Sequence, residues 1–467
     1  MKKSIRLTAL AVSAVMAMGM LAGCGEKQEA SGEITKVTYW TGESHAEAVE
    51  RELINQWNET EGKKKGIEIE YTLQGGGSIT QNLELALQSG TAPDFFGSGD
   101  MTSFAEKGYI QPYDDVMGSD IEKLKKKYEG KLKNTQDIYN GKIYHVPMAV
   151  TPQGLLYNKD MFKAAGIVDE NGEAKPPTTI AEMREDAKKL TNADKKQYGI
   201  IYPKKWTGWF ASDISNAAAT YVGGRGAYNP ATNDYDYSGV KPYAQLILDM
   251  RDDGSVYPGA DSIDNDTARA LFAEGNIGMK YGFSFDVGVL NDQFPAKCDW
   301  GVAELPMADA EHDYKYNVCY GRSCYVNASS KVPTEKLKAV LEFFLSDEYR
   351  RGLYEGGIYF PADASIIEGA KLENPKKGWE EFAKLIPDAS EVHWGPNCDM
   401  AGLKGMQTLF LEDVWSGKMT IDDAIALATE NQRKGREAYI ATHPDYDPTQ
   451  YANPDWTPQL KERAKNK

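Results

Sequence analysis

Strand-like and helix-like stretches alternate along the chain after residue 34, and this alternation limits the fold more than any other feature of the sequence. KVTYW has the period-2 pattern of a strand, and Ser44 is placed to cap a helix whose apolar residues keep helical spacing up to Trp57. IEIEYTL is again strand-like, and a helix pattern runs from Ile79 to about Gly90. This order predicts an α/β fold in which helices cover a mostly parallel sheet.

The same alternation recurs in the second half of the chain. Thr178 or Thr179 is placed to cap a helix, and YGIIYP follows as a strand. VPTEKLKAVLEFFLSDEYRRGL has apolar residues at helical spacing, and Thr420 with Asp423 forms an approximate capping box at the start of a long helix. Because 467 residues are too many for one ordinary core, we expect two domains.

The first residues carry a targeting signal rather than part of the fold. Basic residues precede the apolar run LTALAVSAVMAMGML, which is shorter than the roughly 20 residues of a membrane-spanning helix. LAGC, which ends at Cys24, resembles the bacterial lipobox, in which the cysteine is lipidated and becomes the new N-terminus. We therefore predict a signal peptide at 1–23, a tether at 24–33, and a lipid anchor that holds the protein at the extracellular face of the cell membrane. A plain secretory signal with a chance cysteine is the alternative.

The charge balance argues against nucleic acid as a partner. Beyond residue 23 the chain has 50 Lys plus Arg against 69 Asp plus Glu, a formal balance of −19. A phosphate backbone is bound through a positive surface, which this composition does not provide. A bound small molecule is therefore expected to be neutral or cationic.

Cysteine and histidine show no pattern typical of a metal site. Cys298, Cys319, Cys324 and Cys398 are expected to be free buried thiols, with one structural disulfide as the alternative. Cys319 and Cys324 can pair with each other only if the chain turns between them. The five histidines lack the spacing of metal ligands, so we expect no metal and no cofactor.

The catalytic motifs that the chain approaches are incomplete, whereas its aromatic residues are informative. GFSFD lacks the last glycine of a nucleophile elbow, and neither GGGS nor EGKKKG matches a P-loop. Two acids brought together by folding would suffice for a glycosidase, but with 69 acidic residues their presence decides nothing. Aromatic residues lie beside glycine in YWTGES, KKWTGWF, YGFSFD and VHWGPN. Aromatic walls with a few polar groups are typical of ligand pockets, including those for sugars.

Several segments resemble one known family. GKIYHVPMAVTPQGLLYNKDMFKAAGI followed by PPTTIAEMREDAKKLT is similar to the region where a strand crosses between lobes in the extracellular solute-binding proteins of ABC importers, in the sugar-binding class that includes maltose-binding protein. LFAEGNIGMKYGFSFDVG is similar to the segment before an aromatic ligand-contact loop in that family. The lipobox and APDFFGSGD fit the same family, so the resemblance covers essentially the whole chain after the signal.

The resemblance implies a type II periplasmic-binding-protein fold, in which two α/β lobes are joined by a hinge of crossing strands and the ligand lies between them. It implies mixed, mostly parallel sheets flanked by helices. The implied crossings lie near 149–154, near 323–329 and within 352–360. Lobe one is then 34–150 with 329–355, and lobe two is 151–328 with 356–467.

The family's ligand contacts can be carried over position by position. On lobe one and the first crossing, the resemblance implies Trp40, Glu43, Asp94, Ser98, Asp100, Thr151 and Gln153. Further along, it implies Trp206, Trp209, Phe283, Asp286, Tyr320, Arg322, Trp394 and Asn397. Close relatives often carry a tryptophan in the YGFSFD loop, where this chain has Phe283 and Phe285, so the identity of the ligand stays open.

The implied function is a lipid-anchored receptor without enzymatic activity. Such a receptor is a monomer that captures a carbohydrate, expected to be an oligosaccharide, and delivers it to the transmembrane permease of an ABC transporter. A surface glycoside hydrolase that uses an acid pair in the same cleft is a second hypothesis. A binder of a peptide or polyamine, which the acidic balance permits, is a third.

Overall fold

The computed structural model describes residues 34–75, 79–129, 131–132, 136–206, 208–216, 227–308, 318–321, 324–368, 372, 375–386 and 395–456, without the side chains of 215–216 and 318–320. Within these residues the strands are β1 Thr35–Thr41, β2 Ile67–Leu73, β3 Phe95–Phe96, β4 Ile110–Gln111, β5 Ile138–Tyr139, β6 Lys142–Ile143, β7 Ala149–Asn158, β8 Tyr198–Ile200, β9 Tyr228–Asn229, β10 Asp234–Tyr235, β11 Ile277–Phe283, β12 Trp300–Ala303, β13 Val318–Gly321, β14 Tyr325–Asn327 and β15 Phe360–Pro361.

The α-helices of the described residues are α1 Glu47–Trp57, α2 Lys63–Lys65, α3 Ile79–Ser89, α4 Met101–Glu106, α5 Tyr113–Met117, α6 Ile121–Lys127, α7 Lys159–Ala164, α8 Ile180–Leu190, α9 Val240–Asp252, α10 Asn265–Ala273, α11 Asp286–Gly288, α12 Thr334–Phe344, α13 Asp347–Glu355, α14 Trp379–Lys384, α15 Met406–Leu409 and α16 Ile421–Thr442. Short 3-10 turns cover Ser44–Ala46, Gly118–Asp120, Ala193–Lys195, Ala260–Ser262 and Ala364–Ile367. Wider π-helical turns cover Asn58–Gly62, Ala211–Asn216, Val289–Gln293 and Phe410–Val414.

Apolar spacing and capping residues account for the main helices. α1 buries Ile54 and Trp57, which confirms the helix predicted after residue 44. Thr179 caps α8 and Thr420 caps α16, each through a side-chain oxygen that accepts the backbone N–H three residues further on. The apolar segment predicted as helix near residue 340 forms two helices, because Ser346 caps α13 directly after α12 ends.

The first sheet forms lobe one and has the strand order β2-β1-β3-β14-β4. β1 pairs in parallel with β2 and β3, whereas β14 is antiparallel to β3 and β4. Tyr39 of β1, Phe95 of β3 and Phe344 of α12 belong to the core of this lobe. Because β14 is part of this sheet, the predicted segment 151–328 of lobe two ends too late in the chain. The boundary between the lobes falls before residue 325.

The second sheet forms lobe two around the fully buried strand β7. Its order is β12-β7-β11-β8, and β13 and β15 also pair with β7. β7 is antiparallel to all four of these partners, while β8 and β11 are parallel. The sheets are therefore mixed, and the expectation that they are mostly parallel is wrong. A strand that runs antiparallel to β7 can pair with it without a crossover helix.

The chain changes lobes within very short segments. Met148 and Ala149 belong to the core of lobe one, and Leu155, a few residues along the same strand, belongs to the core of lobe two. Tyr359 packs in the core of lobe one, and the next residue, Phe360, packs in the core of lobe two. The second of these crossings lies after residue 355, where the resemblance places the end of lobe one.

Two further sequence expectations concern membrane spans and cysteines. Among the described residues, none of the helices combines the length and the apolar character that crossing a membrane requires. Cys298, Cys324 and Cys398 are free thiols, as expected, but Cys324 is buried whereas Cys298 and Cys398 are half-buried. The side chain of Cys319, and Cys24 as a whole, lie outside the part of the chain that the structure describes.

Candidate functional site

The turn after β1 carries a partly buried polar cluster at the boundary between the lobes. The Tyr359 hydroxyl lies 2.7 Å from Oε2 of Glu43 and 2.6 Å from Nε2 of His45. His45 Nε2 is also 3.1 Å from the Glu43 carboxylate. These distances fit a hydroxyl that donates to the carboxylate and accepts from the ring N–H. Glu43, predicted as a ligand contact, is therefore held in place by a histidine and a tyrosine that sequence reasoning missed.

An aromatic loop of lobe two meets this cluster. The ring of Phe285 stacks on His45 with a centroid distance of 4.2 Å, and on Phe283 at 5.1 Å. Phe285 also packs against the core of lobe one, although the strand before it belongs to lobe two. Predicted contacts from both lobes, Glu43 and Phe283, thus lie on either side of the stacked pair of Phe285 and His45. We call this group of residues the interlobe junction.

Asp286, predicted as a ligand contact, is buried and instead positions the aromatic loop. Its Oδ1 accepts a hydrogen bond from Nε of Arg269 at 2.6 Å, and its Oδ2 accepts from the backbone N–H of Phe283 at 3.0 Å. The carboxylate has no accessible surface, because both oxygens face groups of its own lobe. The structure therefore corrects the prediction that Asp286 contacts a ligand.

Arg269 links this buried acid to lobe one. Its guanidinium donates to Asp266 at 2.7 Å and lies over the ring of Phe285, 5.3 Å from the centroid. Asp266 in turn accepts from the hydroxyl of Ser44 at 3.1 Å. Ser44 therefore bonds to lobe two, whereas the sequence predicts that it caps a helix.

β7 contributes residues that are mostly used inside lobe two. Gln153 has no accessible surface, and its side-chain amide donates to the backbone oxygen of Ser212 at 2.8 Å. Thr151, two residues earlier on the strand, is 9% exposed. Beside Ser212, burial raises the pKa of Asp213 to about 7, although the charge of Lys280 acts in the opposite direction. Gln153 therefore serves the packing of lobe two rather than the predicted contact with a ligand.

The two tryptophans of KKWTGWF have different environments. Trp209 is fully buried in the core of lobe two, where its ring contacts Tyr202 edge-on at 5.9 Å and lies 6.1 Å from that of Phe410. Trp206 is only partly buried and packs at the edge of the same core. The prediction that Trp209 contacts a ligand is wrong for this conformation, since the residue forms part of the core, whereas Trp206 keeps accessible surface.

In lobe one the predicted residues lie at both ends of β3. Asp94 precedes the strand, and its carboxylate accepts hydrogen bonds from Thr38 at 2.8 and 2.9 Å and from Ser330 at 2.6 Å. It therefore joins elements of its own lobe, which corrects its predicted role. Ser98 and Asp100 follow the strand.

The other end of β3 keeps its predicted residues accessible. Because β1 and β3 are parallel, Ser98 and Asp100 lie at the same sheet edge as the turn of Glu43. Asp100 is exposed and caps α4 by accepting from the N–H of Ser103 at 2.7 Å. Trp40, near the end of β1, is partly buried and packs against the apolar cluster that contains Phe96 and Phe104. This edge remains a candidate for ligand contact.

The remaining predicted residues lie around the later crossings. Tyr320 is in β13 opposite Val150, without a described side chain, and Arg322 and Trp394 lie outside the described residues. The side-chain amide of Asn397 donates to the hydroxyl of Tyr439 at 3.0 Å. Asn397 also borders a cavity of about 540 Å³ between the β5–β6 turn and the chain after α16.

The described residues contain no group of three or more His, Cys, Asp or Glu side chains that could hold a metal ion.

A family model described as bacterial extracellular solute-binding protein matches residues 42–351. The chain belongs to this family. Its members are substrate-binding receptors rather than enzymes.

Comparisons with individual proteins cover nearly the whole length of this solute-binding protein. It is 24% identical over 472 residues to the maltooligosaccharide ABC transporter solute-binding lipoprotein of Streptococcus pneumoniae strain R6, over 92% of this chain and 97% of the relative. It is 23% identical over 443 residues to the galactooligosaccharide-binding protein of Bacillus subtilis strain 168, over 88% and 93%.

A solved structure confirms the fold of the solute-binding protein. The maltose/maltodextrin-binding domain MalE from Bdellovibrio bacteriovorus, bound to maltotriose, superposes with a TM-score of 0.66. The two proteins are 20% identical, and the match covers 86% of this chain and 99% of the other. The two-lobe periplasmic-binding-protein fold predicted from the sequence is therefore confirmed.

Proposed function

We propose that this solute-binding protein captures a carbohydrate, expected to be an oligosaccharide, and delivers it to the transmembrane permease of an ABC importer. Family membership supports a receptor role. The relatives from Streptococcus pneumoniae and Bacillus subtilis, whose names state maltooligosaccharide and galactooligosaccharide binding, support the ligand class.

The interlobe junction is the observation that carries the proposal. Phe283 and Phe285 of lobe two stack beside His45 and Glu43 of lobe one. Phe283 and His45 are buried, whereas Phe285 is half-buried and the Glu43 side chain is 31% exposed. A sugar offers flat C–H faces to aromatic rings and hydroxyl groups to carboxylates, so the accessible parts of Phe285 and Glu43 suit it. A ligand that touches both sides of the junction at once stabilises the closed arrangement of the lobes by its differential affinity for that state.

Neither a catalytic step nor a cofactor is part of the proposal. Asp286 is occupied by Arg269 and by a backbone N–H, and Asp94 is occupied by Thr38 and Ser330, so these acids are not available as an acid pair for hydrolysis. The ligand contacts that we still propose are Trp40, Glu43, Ser98, Asp100, Thr151, Trp206, Phe283, Tyr320, Arg322, Trp394 and Asn397.

The proposal includes attachment to the membrane. The motif that ends at Cys24 and the name of the lipoprotein from Streptococcus pneumoniae both support a lipid anchor at the extracellular face. Two acyl chains give stable anchoring, whereas a single chain is marginal. A monomer anchored in this way can present its closed form to the permease.

A thermal-shift panel tests the ligand class. The chain from residue 25 onward is mixed with maltooligosaccharides, galactooligosaccharides, spermidine and a mixed peptide pool. We expect a neutral oligosaccharide to raise the melting temperature, because a ligand present at 100 times its Kd stabilises the folded state by about 2.7 kcal/mol. Calorimetry on that sugar is expected to give a Kd of roughly a micromolar, about −8 kcal/mol.

The alternatives predict different results in the same experiment. A shift produced by spermidine or peptides alone would replace the carbohydrate proposal with the third hypothesis. Chromatography of the sugar after incubation separates receptor from hydrolase, since a receptor returns its ligand intact. If repurified protein still shortens the sugar, the receptor assignment is overturned.

A further inference from the structure

The ring of Trp206 occupies the space in which residue 208 would carry a side chain. A Cβ atom built on Gly208 would lie 2.6 Å from Cζ2 and 2.7 Å from Cε2 of Trp206. Carbon atoms that are not bonded to each other pack at about 3.5–4.0 Å, so the indole fits here only because residue 208 is glycine. The φ angle of Gly208 is not positive, so the close approach of the ring, rather than the backbone conformation, requires glycine at this position.

Backbone hydrogen bonds fix the chain against which this ring rests. The N–H of Trp206 donates to the carbonyl oxygen of Pro203 at 2.9 Å, and the N–H of Trp209 donates to that of Trp206 at 3.0 Å. Trp209 is fully buried in the core of lobe two, whereas Trp206 is partly buried at the edge of that core. If residue 208 gained a side chain, the ring of Trp206 would therefore move rather than the backbone.

Lys204 anchors the chain that leads to Trp206. Its Nζ lies 3.4 Å from the centroid of the Trp415 ring and pairs with the carboxylate of Asp261, and its side chain is only 5% exposed. The backbone N–H of Lys204 donates to the carbonyl oxygen of Ala260 at 3.2 Å. Burial lowers the pKa of Lys204, while the charge of Asp261 acts in the opposite direction. A cation held between a ring face and a carboxylate has little freedom, so this end of the segment is fixed as well.

The segment is tied to the strand that crosses between the lobes. The N–H of Ser212 donates to the carbonyl oxygen of Gly208 at 2.9 Å, and the carbonyl oxygen of Ser212 accepts from the Gln153 side chain at 2.8 Å. Gln153 lies on β7 opposite Phe283 of β11, and Phe283 belongs to the interlobe junction. The chain around Gly208 is therefore connected to the end of the lobe-two sheet at which the interlobe junction lies.

We propose that Gly208 is a positioning residue for ligand binding, because its missing side chain lets the indole of Trp206 rest against the backbone as a preformed surface on which a sugar ring stacks. The inference rests on the proposed function, in which Trp206 is a ligand contact, and adds the residue that sets the position of its ring. A ring that is fixed before binding loses little conformational entropy when the ligand arrives. Gly208 acts through Trp206 and need not touch the ligand itself.

Calorimetry on Gly208→Ala tests this role, with the oligosaccharide that gives the largest rise in melting temperature. We expect the affinity to fall about tenfold, as the loss of one ring stack would. Gly405→Ala is the matched control, since Gly405 also lies in lobe two, directly before α15, and a Cβ built there meets none of the described residues within 4 Å. Its affinity should equal that of the wild type.

Trp206→Phe separates the positioning of the ring from a general loss of packing. The shorter side chain lacks the outer ring of the indole, which meets residue 208, so Gly208→Ala should cost little further affinity in a Trp206→Phe background. Fluorine NMR on protein labelled with fluorotryptophan gives a second measurement, without ligand. The resonance that disappears in Trp206→Phe should move in Gly208→Ala and stay in place in Gly405→Ala.

The results distinguish this role from the proposed function. Unchanged affinity in Gly208→Ala, or an equal loss in the Trp206→Phe background, overturns the positioning role while the proposed function stands. A Trp206 resonance that does not move in Gly208→Ala overturns the positioning role as well. If no oligosaccharide binds the wild-type protein, the proposed function fails and the stacking role of Trp206 fails with it.

Discussion

At the level of single residues, the arrangement of the site depends on buried charges rather than on exposed acids. Arg269 is 3% exposed and contacts Asp286, Asp266 and the face of Phe285. Removing one partner of a buried ion pair leaves the other as an uncompensated charge, which costs more than the pair itself contributes. Arg269 therefore determines both the stability of lobe two and the position of the aromatic loop.

The Arg269→Met variant tests this role. We expect it to lower the free energy of unfolding by about 3–5 kcal/mol, because buried Asp286 loses its cation at 2.6 Å and keeps the more distant Lys280 at 4.0 Å. Chemical denaturation measures the change, and adding Asp286→Asn should restore part of the loss. Arg51→Met is the control, since Arg51 also pairs with an acid and lies over a ring but is 46% exposed, and its cost should stay below about 1 kcal/mol. Equal costs for the two single variants would contradict the role assigned to Arg269.

Residue types and spacing could predict which loops meet, but not which way each side chain faces. Glu43 and Phe283, both predicted as ligand contacts, lie at the interlobe junction. Trp209 and Asp286, predicted from similar loops, are fully buried. Two tryptophans three residues apart at the start of a helical turn look alike in sequence, yet Trp209 packs in the core while Trp206 stays at its edge. His45 gave no signal, because a lone histidine acquires its role only from Tyr359, far away in the chain.

At the level of elements, local sequence predicts helices better than it predicts sheets. α16 begins where Thr420 and Asp423 suggest, and the Thr420 oxygen accepts the Asp423 N–H at 3.1 Å. Strand direction was predicted wrongly for lobe two, since β7 pairs with partners that arrive from distant parts of the chain. A capping interaction involves three neighbouring residues, whereas a strand pair depends on the whole chain between its members.

Thr420→Ala tests the contribution of the cap to α16. Loss of the side-chain acceptor is expected to reduce the free energy of unfolding by about 1 kcal/mol, as measured by thermal or chemical unfolding. Thr232→Ala serves as the control, because Thr232 is exposed and has only a 3.5 Å contact with Asn229, so its effect should stay within about 0.5 kcal/mol. If both variants unfold alike, the cap does not stabilise the helix.

At the level of the whole molecule, the fold joins two separate cores through very short crossings. Tyr359 packs in one core and Phe360 in the other, and β7 changes lobes along its length. Few residues therefore need to change their backbone angles when the lobes rotate, while both cores stay packed. Contacts such as those of Phe285 with His45, and of Tyr439 with Glu106, join the lobes.

Small-angle X-ray scattering tests this hinge. The oligosaccharide that gives the largest rise in melting temperature is expected to reduce the radius of gyration, because a ligand that contacts both lobes favours the closed state. A sugar that leaves the melting temperature unchanged is the control and should leave the scattering curve unchanged. Identical curves with and without the best-bound sugar would contradict closure as the basis of binding.

The sequence by itself determined the two-lobe α/β fold, the main helices, and the caps at Thr179 and Thr420. These features follow from short-range patterns of apolar and capping residues and from motifs that the chain shares with the solute-binding family. Only the tertiary structure decided that Asp286 and Trp209 are buried, that Asp94 bonds within its own lobe, that His45 and Phe285 stack at the interlobe junction, and that a cavity lies beside Asn397. Whether a side chain is buried, and which charge it meets, depends on residues hundreds of positions away, and no local pattern records those contacts.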